Sequence, residues 1–354
     1  MLRLIILVEN FTIGGAQRMV YEEIKCLDQD NIALLVICYQ SRRNTELERS
    51  VEQHARVVYL NIDGHVKLKD FQKVFRTINA FKPDIVHTHL SGQVFAIPWS
   101  LLYRKPIVIT AHTRPNMAFI KKTEKLLKIG LRRGKIFVVA VSEENHKLIL
   151  EYFKGVTDKI SYINNGVSLS SYRKQEHEFF TYINVARQDE NKNQRLIIDC
   201  FERIHKRYPQ TRLLLVGDGP THQALKDQVV GLNLQDSVEL PGNVSNVEDY
   251  YAVADAYLQS SHREAMPMSV LEAMATRLPI ISTDVGGMKD VVINNGILIP
   301  DNDTEGFERA MLCMFEMNES ARKQLGENSF SIVQNYSSEF MTEEYVKLYE
   351  RIKE

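Results

Sequence analysis

The segment from His262 to Glu272 has a helix start suited to binding an anion. Pro267 fits the first position of a helix, where its missing N–H removes nothing from the hydrogen-bond ladder. Backbone amides at such a helix start lack partners within the helix and favour a negatively charged group. We therefore expect a phosphate-binding helix start formed by the amides of Met268, Ser269 and Val270.

Two carboxylates lie on either side of this helix start. Glu264 precedes the helix and Glu272 lies within it, so the two side chains are placed to accept hydrogen bonds from different hydroxyls of one extended ligand. The neighbours of Glu272 are apolar, and an unpaired buried carboxylate is costly. We therefore expect Glu272 to have a hydrogen-bonding partner.

Two cations follow the first predicted strand of the second half of the chain. Arg187 ends that strand, and Lys192 begins the next helix. Side chains at the carboxyl edge of a parallel sheet meet ligands, and two cations there suit a diphosphate, which arginine binds bidentately. Solvated surface charge is the alternative interpretation.

Two glycine pairs and one histidine pair bear on which ligands the chain could bind. Gly14 and Gly15 follow the first strand and open a helix, which suits a phosphate or acceptor turn or a simple tight turn. The segment lacks G-x-G-x-x-G, and Gly217-Asp218-Gly219 is followed by His222 at the third glycine position, so a dinucleotide oxidoreductase is disfavoured. His87 and His89 have no accompanying carboxylate cluster, so packing is favoured over a metal site, and we predict no metal.

The stretch Phe119–Ile136 is strongly basic. Read as one helix, it aligns its cations in a stripe beside an apolar stripe of Ile120, Leu127 and Leu131, with Glu124 the single acid. This pattern predicts a helix on an anionic membrane surface, or else an ordinary surface helix packed by its leucines. The membrane-facing residues would be Lys121, Lys125, Lys128 and Arg132.

The overall composition is that of a folded protein with two electrostatically different halves. The net charge of −1 divides into about +11 for residues 1–174 and about −12 for the remainder. The apolar stretch Leu2–Val8 is too short for a secretory signal, and no window is long enough for a transmembrane helix. The four scattered cysteines fit reduced packing residues. We expect a cytoplasmic protein, peripheral on the inner membrane face.

Short apolar runs alternate with helical stretches, which predicts a parallel α/β fold. The polar segment from Asn164 to Glu178 separates two such arrays, so we predict domains at 1–170 and 175–335, and a helix at 336–354 that packs back toward the first domain. Each array predicts a doubly wound, Rossmann-like domain, with a cleft between the two. The predicted strands are Leu2–Val8, Ala33–Tyr39, Arg56–Leu60, Asp84–Thr88, Ile107–Ala111, Phe137–Val141, Ile160–Ile163, Thr181–Ala186, Thr211–Val216, Val238–Leu240, Ala256–Gln259, Pro279–Ser282 and Ile297–Ile299.

An ordered series of short motifs along nearly the whole chain resembles the family 4 glycosyltransferases of the GT-B fold. The two glutamates eight positions apart are its most informative part. The other motifs are Gly14-Gly15, Ile85 to His89, Asn165-Gly166-Val167, Ala186-Arg187 to Lys192-Asn193-Gln194, Leu215 to Pro220, and Gly286-Gly287. No piece is specific alone, whereas the ordered set is highly specific.

The resemblance implies a role for each candidate residue. Arg187 and Lys192 would hold the donor diphosphate, Glu264 would contact the donor sugar, and Glu272 would contact the ribose. Val244 would line the base pocket, and His112 would lie near the donor sugar, which makes Glu264 and His112 the catalytic candidates. The family often has Gly-Phe after the first glutamate, but here the pair is Ala265-Met266; Thr113 likewise replaces a common Asp or Asn.

These expectations combine into one predicted reaction. A hexose would move with retention from a nucleoside diphosphate, UDP preferred, to a hydroxyl of a lipid-linked or saccharide acceptor in cell-surface polysaccharide synthesis. No cofactor, metal, nucleic acid or protein nucleophile is predicted. The alternatives are a GT-B nucleotide-sugar epimerase and a non-catalytic sugar-nucleotide-binding protein.

Overall fold

The computed structural model describes residues 1–12, 14–121, 123–169 and 175–353 of the 354-residue chain. It divides into two compact units. Unit 1 comprises Met1–Gly166 and Ser338–Glu354, and unit 2 comprises Val167–Ser337. The predicted domain limits at Ser170 and Glu354 lie outside the described residues.

Unit 1 contains a seven-stranded parallel sheet in the order β3-β2-β1-β4-β5-β6-β7. The inner strands are buried on both faces, which explains their nearly continuous apolar sequences. The chain reverses its direction of winding between β1 and β4. The strands are β1 Leu2–Val8, β2 Ile32–Cys38, β3 Arg56–Tyr59, β4 Ile85–His89, β5 Ile107–Ala111, β6 Ile136–Ala140 and β7 Ile160–Tyr162.

Helices that connect these strands bury apolar faces against the sheet. In α2, the Thr45 hydroxyl caps the first turn by accepting from the backbone amide of Glu48. The Glu48 carboxylate in turn accepts from the backbone amide of Thr45. The helices are α1 Gly15–Cys26, α2 Glu46–His54, α3 Leu68–Phe81, α4 Gln93–Tyr103, α5 Pro115–Ala118, α6 Glu124–Arg132 and α7 Glu143–Tyr152.

Unit 2 contains a six-stranded parallel sheet in the order β10-β9-β8-β11-β12-β13, and its winding reverses between β8 and β11. Its strands are β8 Phe180–Val185, β9 Thr211–Val216, β10 Val238–Gly242, β11 Ala256–Gln259, β12 Ile280–Thr283 and β13 Gly296–Ile299. Its helices are α8 Gln194–Arg207, α9 His222–Gly231, α10 Val247–Ala252, α11 Met268–Ala275, α12 Met288–Val291, α13 Thr304–Glu316 and α14 Glu319–Val333.

The last helix, α15 (Ser338–Lys353), belongs to unit 1 and packs on α1. The hydroxyl of Ser338 donates to Glu22 of α1 at 3.0 Å, and Lys353 pairs with Asp84 at 3.1 Å. Unit 1 therefore includes α15, which follows unit 2 in the sequence.

The two doubly wound α/β units confirm the predicted fold class, and each predicted strand overlaps an observed one. The prediction of one helix over Phe119–Ile136 is wrong. Thr123 instead closes a turn on the carbonyl of Ile120, and the chain reverses at Gly134, whose φ is 65°. Only Glu124–Arg132 is helical between them. Across the described part of the chain, every helix is too short or too polar to cross a membrane.

Candidate functional site

The loops after β8 and β11 lie at the point where the winding of unit 2 reverses. In parallel α/β sheets, ligands bind outside the carboxyl ends of the strands at this reversal. The loop after β8 carries Arg187 and Lys192, and the loop after β11 carries Glu264. These three predicted site residues thus follow the two strands that define the reversal.

Lys192 and Glu264 form an ion pair across this point. Lys192 Nζ lies 2.5 Å from Glu264 Oε1, and the two side chains are only 20% and 10% exposed. Gln259, the last residue of β11, donates its side-chain amide to the same oxygen at 2.7 Å. Glu264 is therefore held by two donors in a site largely withdrawn from water.

Gln259 and Tyr257 support the pair from β11, and sequence reasoning missed both. The Tyr257 hydroxyl lies 3.1 Å from Gln259 Oε1 and 2.8 Å from the hydroxyl of Ser269. Burial raises the pKa of Tyr257, so the hydroxyl stays protonated. Polar side chains in a strand buried on both faces were the signal available in the sequence.

Arg187 and Lys192 leave the same strand but have different partners. The Arg187 side chain is 70% exposed, with its Nε 3.7 Å from Asp189. Asp189 also accepts from the backbone amide of Lys192 at 3.2 Å, which shapes the loop between the two cations. Arg187 therefore presents an accessible guanidinium, while Lys192 is engaged with Glu264.

Gly217 lets the loop after β9 approach the loop that carries Arg187. Its φ is 126°, and a Cβ at this position would lie 2.0 Å from the carbonyl oxygen of Ala186. A Cβ on Gly219 would similarly lie 2.2 Å from the carbonyl of Gln188. Only glycine fits such an approach, so this pair shapes the cation-bearing loop.

The start of α11 differs in one detail from the prediction. Pro267 is the N-cap, with ψ 127°, and not the first helical residue, so Met268 takes that position. The amide of Val270 donates to the Pro267 carbonyl at 3.2 Å, and the prediction that this amide is unpaired is therefore wrong. The amides of Met268 and Ser269 remain the candidates for an anion at this helix start.

Glu272 lies in α11, is 7% exposed and has the partner that its apolar surroundings predicted. The hydroxyl of Tyr251 donates to its Oε2 at 3.0 Å. The same hydroxyl lies 3.0 Å from the Ser269 carbonyl. Tyr251 thereby fixes the Glu272 side chain against the first turn of the helix.

Val244 and Gly286 lie in two further loops of unit 2. Val244 is half-buried in the loop between β10 and α10. Gly286, after β12, has a φ of 61°, and a Cβ there would lie 2.3 Å from the Glu264 carbonyl. The Gly286-Gly287 motif thus packs its backbone directly against the loop that carries Glu264.

A separate cavity of about 550 Å³ opens at the other edge of the unit 2 sheet. It is lined by residues at the starts of β8 and β9, including Thr181 and Arg212, and by the acids Glu178, Glu239 and Asp249. None of the predicted site residues lines it. Because ligands of parallel sheets bind at the carboxyl edge, we place the candidate site at the Lys192–Glu264 pair.

In unit 1, the first glycine turn lies at the corresponding reversal between β1 and β4. Gly14 is the N-cap of α1, with an extended φ of 173°, and its carbonyl accepts from the Arg18 amide at 3.0 Å. Both Gly14 and Gly15 retain exposed surface. This helix start can therefore meet an anion, although its backbone does not itself require glycine.

His112 follows β5 and is half-buried. Its Nε2 lies 3.1 Å from Nδ1 of His89, the last residue of β4. Removal from water, assisted by neighbouring His87, lowers the pKa of His112, so the ring is neutral at pH 7. A neutral imidazole has one donor and one acceptor nitrogen, which suits hydrogen bonding to a sugar hydroxyl.

The sequence shows no carboxylate cluster near His87 and His89, and the structure places one carboxylate, Glu23 of α1, beside both. Donor atoms of these three buried residues lie within 4.8 Å of one another, which is a spacing that metal sites use. The hydroxyl of Tyr349 hydrogen-bonds Glu23 at 2.5 Å and lies 2.6 Å from His87 Nδ1. We interpret the group as a hydrogen-bonded cluster. Burial lowers the pKa of His87 to about 3 and raises that of Glu23.

The predicted membrane-facing residues lie on and just before α6. Lys121, in the turn before the helix, and Lys125, Lys128 and Arg132, on it, are all exposed, and Lys122 lies outside the described residues. Lys128 pairs with Glu124 at 2.7 Å, and this ion pair reduces the positive charge that Lys128 adds to the surface of α6. Leu127 and Leu131 are buried in the core, whereas Leu126 and Ile129 are 37% and 40% exposed.

Family models match both units of the chain. Residues 13–171 match the model described as Glycosyltransferase Family 4. Residues 171–331 match the model described as Glycosyl transferases group 1. The two matches adjoin, so together they account for most of the chain.

Individual relatives agree with these matches. The chain is 25% identical over 359 residues to an Escherichia coli UDP-Gal:alpha-D-GlcNAc-diphosphoundecaprenol alpha-1,3-galactosyltransferase, with 91% of each chain covered. It is 30% identical over 241 residues to an uncharacterized glycosyltransferase of Methanocaldococcus jannaschii, over 61% of this chain and 59% of that one. The structure of Anabaena HepE in complex with UDP-glucose superposes with a TM-score of 0.84 at 18% identity, over 99% of this chain and 100% of HepE.

Proposed function

We propose that this chain, which belongs to the family 4 glycosyltransferases of the GT-B fold, transfers a hexose from a nucleoside-diphosphate sugar to a hydroxyl acceptor with retention at the anomeric carbon. The observation that carries the proposal is the Lys192–Glu264 ion pair at the winding reversal of unit 2. It joins a cation suited to a diphosphate with a carboxylate suited to sugar hydroxyls.

The diphosphate leaving group sets the main catalytic requirement. Negative charge develops on it as the glycosidic bond breaks, and fixed cations and helix-start amides stabilise such charge. Arg187, Lys192 and the amides of Met268 and Ser269 fill this role. No protein nucleophile is invoked, and the side-chain cations take the part that a divalent ion has in metal-dependent transferases.

The remaining donor-site residues select the sugar and the nucleoside. Glu264 and His112 contact the donor sugar, Glu272 accepts from the ribose, and Val244 lines the base pocket. UDP is the preferred nucleotide, because the E. coli relative is named for UDP-galactose and HepE binds UDP-glucose. The specific hexose follows from the pocket around Ala265-Met266, where this chain departs from its family.

The acceptor is proposed to be a saccharide linked to a lipid diphosphate, used in building a capsule or exopolysaccharide at the inner face of the cell membrane. The E. coli relative is named for such an acceptor. The cations on and before α6, together with exposed Leu126 and Ile129, would hold the enzyme on anionic lipid. The Gly14-Gly15 helix start would meet the acceptor diphosphate.

The test is incubation with a panel of UDP- and GDP-sugars, each with and without a lipid-diphosphate-linked saccharide. We expect one UDP-hexose to be consumed, mainly when the acceptor is present, and the anomeric coupling in the product to match that of the donor. Conversion of the nucleotide sugar to its epimer without acceptor would indicate an epimerase instead. Binding of the donor with no product under any condition would indicate a non-catalytic binding protein.

A further inference from the structure

His112 is linked through His89 to the buried carboxylate of Glu23 in unit 1. Its Nε2 lies 3.1 Å from His89 Nδ1, and the other ring nitrogen of His89 faces Glu23 Oε2 at 3.7 Å. Both His89 Nε2 and Glu23 Oε2 are buried and have no hydrogen-bond partner among the described residues. We therefore pair these two atoms as donor and acceptor, because burial of either one without a partner would be costly.

The other contacts of Glu23 identify it as the acceptor of this cluster. The Tyr349 hydroxyl donates to its Oε1 at 2.5 Å, and His87 Nδ1 lies 3.2 Å from the same oxygen. His87 Nε2 lies 2.8 Å from the hydroxyl of Thr110, which can donate to it. His87 then carries its proton on Nδ1. The Tyr349 hydroxyl and His87 Nδ1 therefore both donate to Glu23, which suits an ionised carboxylate because it can only accept.

Burial raises the pKa of Glu23, but the hydrogen bond from Tyr349 favours its ionised form, and an ionised carboxylate here determines the direction of each hydrogen bond from Glu23 to His112. A bare imidazole nitrogen facing a carboxylate oxygen would place two lone pairs together, so His89 carries its proton on Nε2. His89 Nδ1 is then an acceptor. The nitrogen 3.1 Å away, Nε2 of His112, must therefore be the donor.

We propose that Glu23 and His89 are positioning residues that hold His112 in the tautomer protonated on Nε2, so that its Nδ1 accepts a hydrogen bond from a hydroxyl of the donor sugar. The proposal rests on the proposed function, which assigns His112 to the donor sugar. Histidine tautomers are commonly set by the hydrogen bond at the second ring nitrogen. Here the group that sets the tautomer is Glu23, which acts through His89 on His112, the residue that contacts the sugar.

Glu22 provides a matched control for a purely structural role. It is the neighbour of Glu23 on α1, is 1% exposed and accepts from the hydroxyl of Ser338 of α15 at 3.0 Å. If the carboxylates only hold α15 on α1, Glu22→Gln and Glu23→Gln should behave alike. If Glu23 acts through His89, only Glu23→Gln should change His112.

The experiment is ¹⁵N NMR of the imidazole rings, with the His112 signals assigned by their absence in His112→Gln. Wild type should be protonated at Nε2 of His112, and Glu22→Gln should be unchanged. In Glu23→Gln, an amide N–H group would face His89 Nε2. The protons of His89 and His112 should then move to the opposite ring nitrogens, or both tautomers should be populated. Protonation at Nδ1 in wild type, or an unchanged tautomer in Glu23→Gln, would overturn the proposal. If Glu23→Gln does not fold, the wild-type tautomer decides alone.

Kinetics separate this proposal from the function on which it rests. Glu23→Gln should lower kcat about tenfold, the rate equivalent of one hydrogen bond, with the donor KM within about twofold. His89→Asn, whose Oδ1 can replace Nδ1 as acceptor, should retain more activity than His89→Phe. Full turnover in His112→Gln would refute the assignment of His112 to the donor sugar, and the positioning role with it. Low turnover in His112→Gln with wild-type kinetics in Glu23→Gln would refute the positioning role alone.

Discussion

The Lys192–Glu264 pair permits a quantitative test of the donor site through a double-mutant cycle. Lys192→Ala removes a cation that we assign to the diphosphate, and Glu264→Ala removes a carboxylate that we assign to the sugar. In the free enzyme the two groups lie 2.5 Å apart, so each also orients the other. Residues in contact that act on one transition state give non-additive losses.

The expected size follows from the contact each variant removes. Losing one charge-assisted contact to transition-state charge costs about 3 kcal/mol, or on the order of a hundredfold in kcat/KM. Independent residues would lose about ten-thousandfold together. Because the cation and the carboxylate are held as one pair, we expect the double variant to lose little more than the worse single variant. Lys192→Ala should still fold, since the Gln259 amide remains on Glu264 at 2.7 Å.

The assay is turnover with the donor identified by the panel, combined with calorimetric binding of UDP alone. Lys192→Ala should weaken UDP binding, whereas Glu264→Ala should weaken it much less, because UDP lacks the sugar and Glu264 affects UDP only through Lys192. Arg203→Ala is the control, since it removes a more exposed pair with Glu308 on the same unit, which should contribute less than 1 kcal/mol. Wild-type turnover in either single variant, or a strictly additive loss, would refute the reasoning.

Further predictions address the ribose, the metal, the membrane and the buried histidines. Glu272→Ala should raise the donor KM about tenfold with kcat nearly unchanged, because a ribose contact changes little as the bond breaks; a fall in kcat alone would contradict this. Turnover should survive excess EDTA, and loss restored by Mg²⁺ or Mn²⁺ would show that a metal is required. Replacing Lys121, Lys125, Lys128 and Arg132 with Gln should release the protein from anionic vesicles in co-sedimentation at low salt, while turnover on a short soluble acceptor persists; equal sedimentation of both forms would mean that α6 is only structural. Burial lowers the pKa of His87 from 6.5 to about 3, so the unfolded chain binds a proton in that window that the native chain does not. The free energy of unfolding should therefore fall by about 1.6 kcal/mol from this group between pH 6.5 and pH 5, with His89 adding to the loss and the raised pKa of Glu23 opposing it. Denaturant unfolding at both pH values tests this, and greater stability at pH 5 would contradict it.

The fold was largely predictable because parallel strands buried on both faces leave a clear signal. Each is a short apolar run bounded by polar or helical sequence, as in Leu2–Val8 and Thr211–Val216, whose predicted bounds match the structure. Helix limits were harder to predict. Phe119–Ile136 has helical periodicity throughout, but in the structure the Thr123 turn and the reversal at Gly134 bound a shorter helix, whose Leu127 and Leu131 are buried.

The donor-side residues were predictable for a related reason. Arg187, Lys192 and Glu264 each follow a recognisable strand, Glu272 lies within the helix after Glu264, and parallel topology brings such positions to one edge. The partners of these residues were not predictable. Gln259 is recognisable in the sequence only as a polar residue in a buried strand, and nothing marks Tyr251. The packing of β11 and α10 places them on the two carboxylates.

The buried cluster of unit 1 shows where sequence reasoning is weakest and what such a site requires. Glu23 and Tyr349, which share a hydrogen bond, are 326 positions apart in the chain. No local pattern connects them, and the sequence around His87 and His89 shows no carboxylate cluster, which favoured packing over a metal site. A neutral histidine needs a partner at each ring nitrogen when it is fully buried, so the existence of some partner was implied even though its identity was not. Because Tyr349 of α15 hydrogen-bonds Glu23 and lies beside His87, the environment behind His112 depends on a residue that the sequence places far from both.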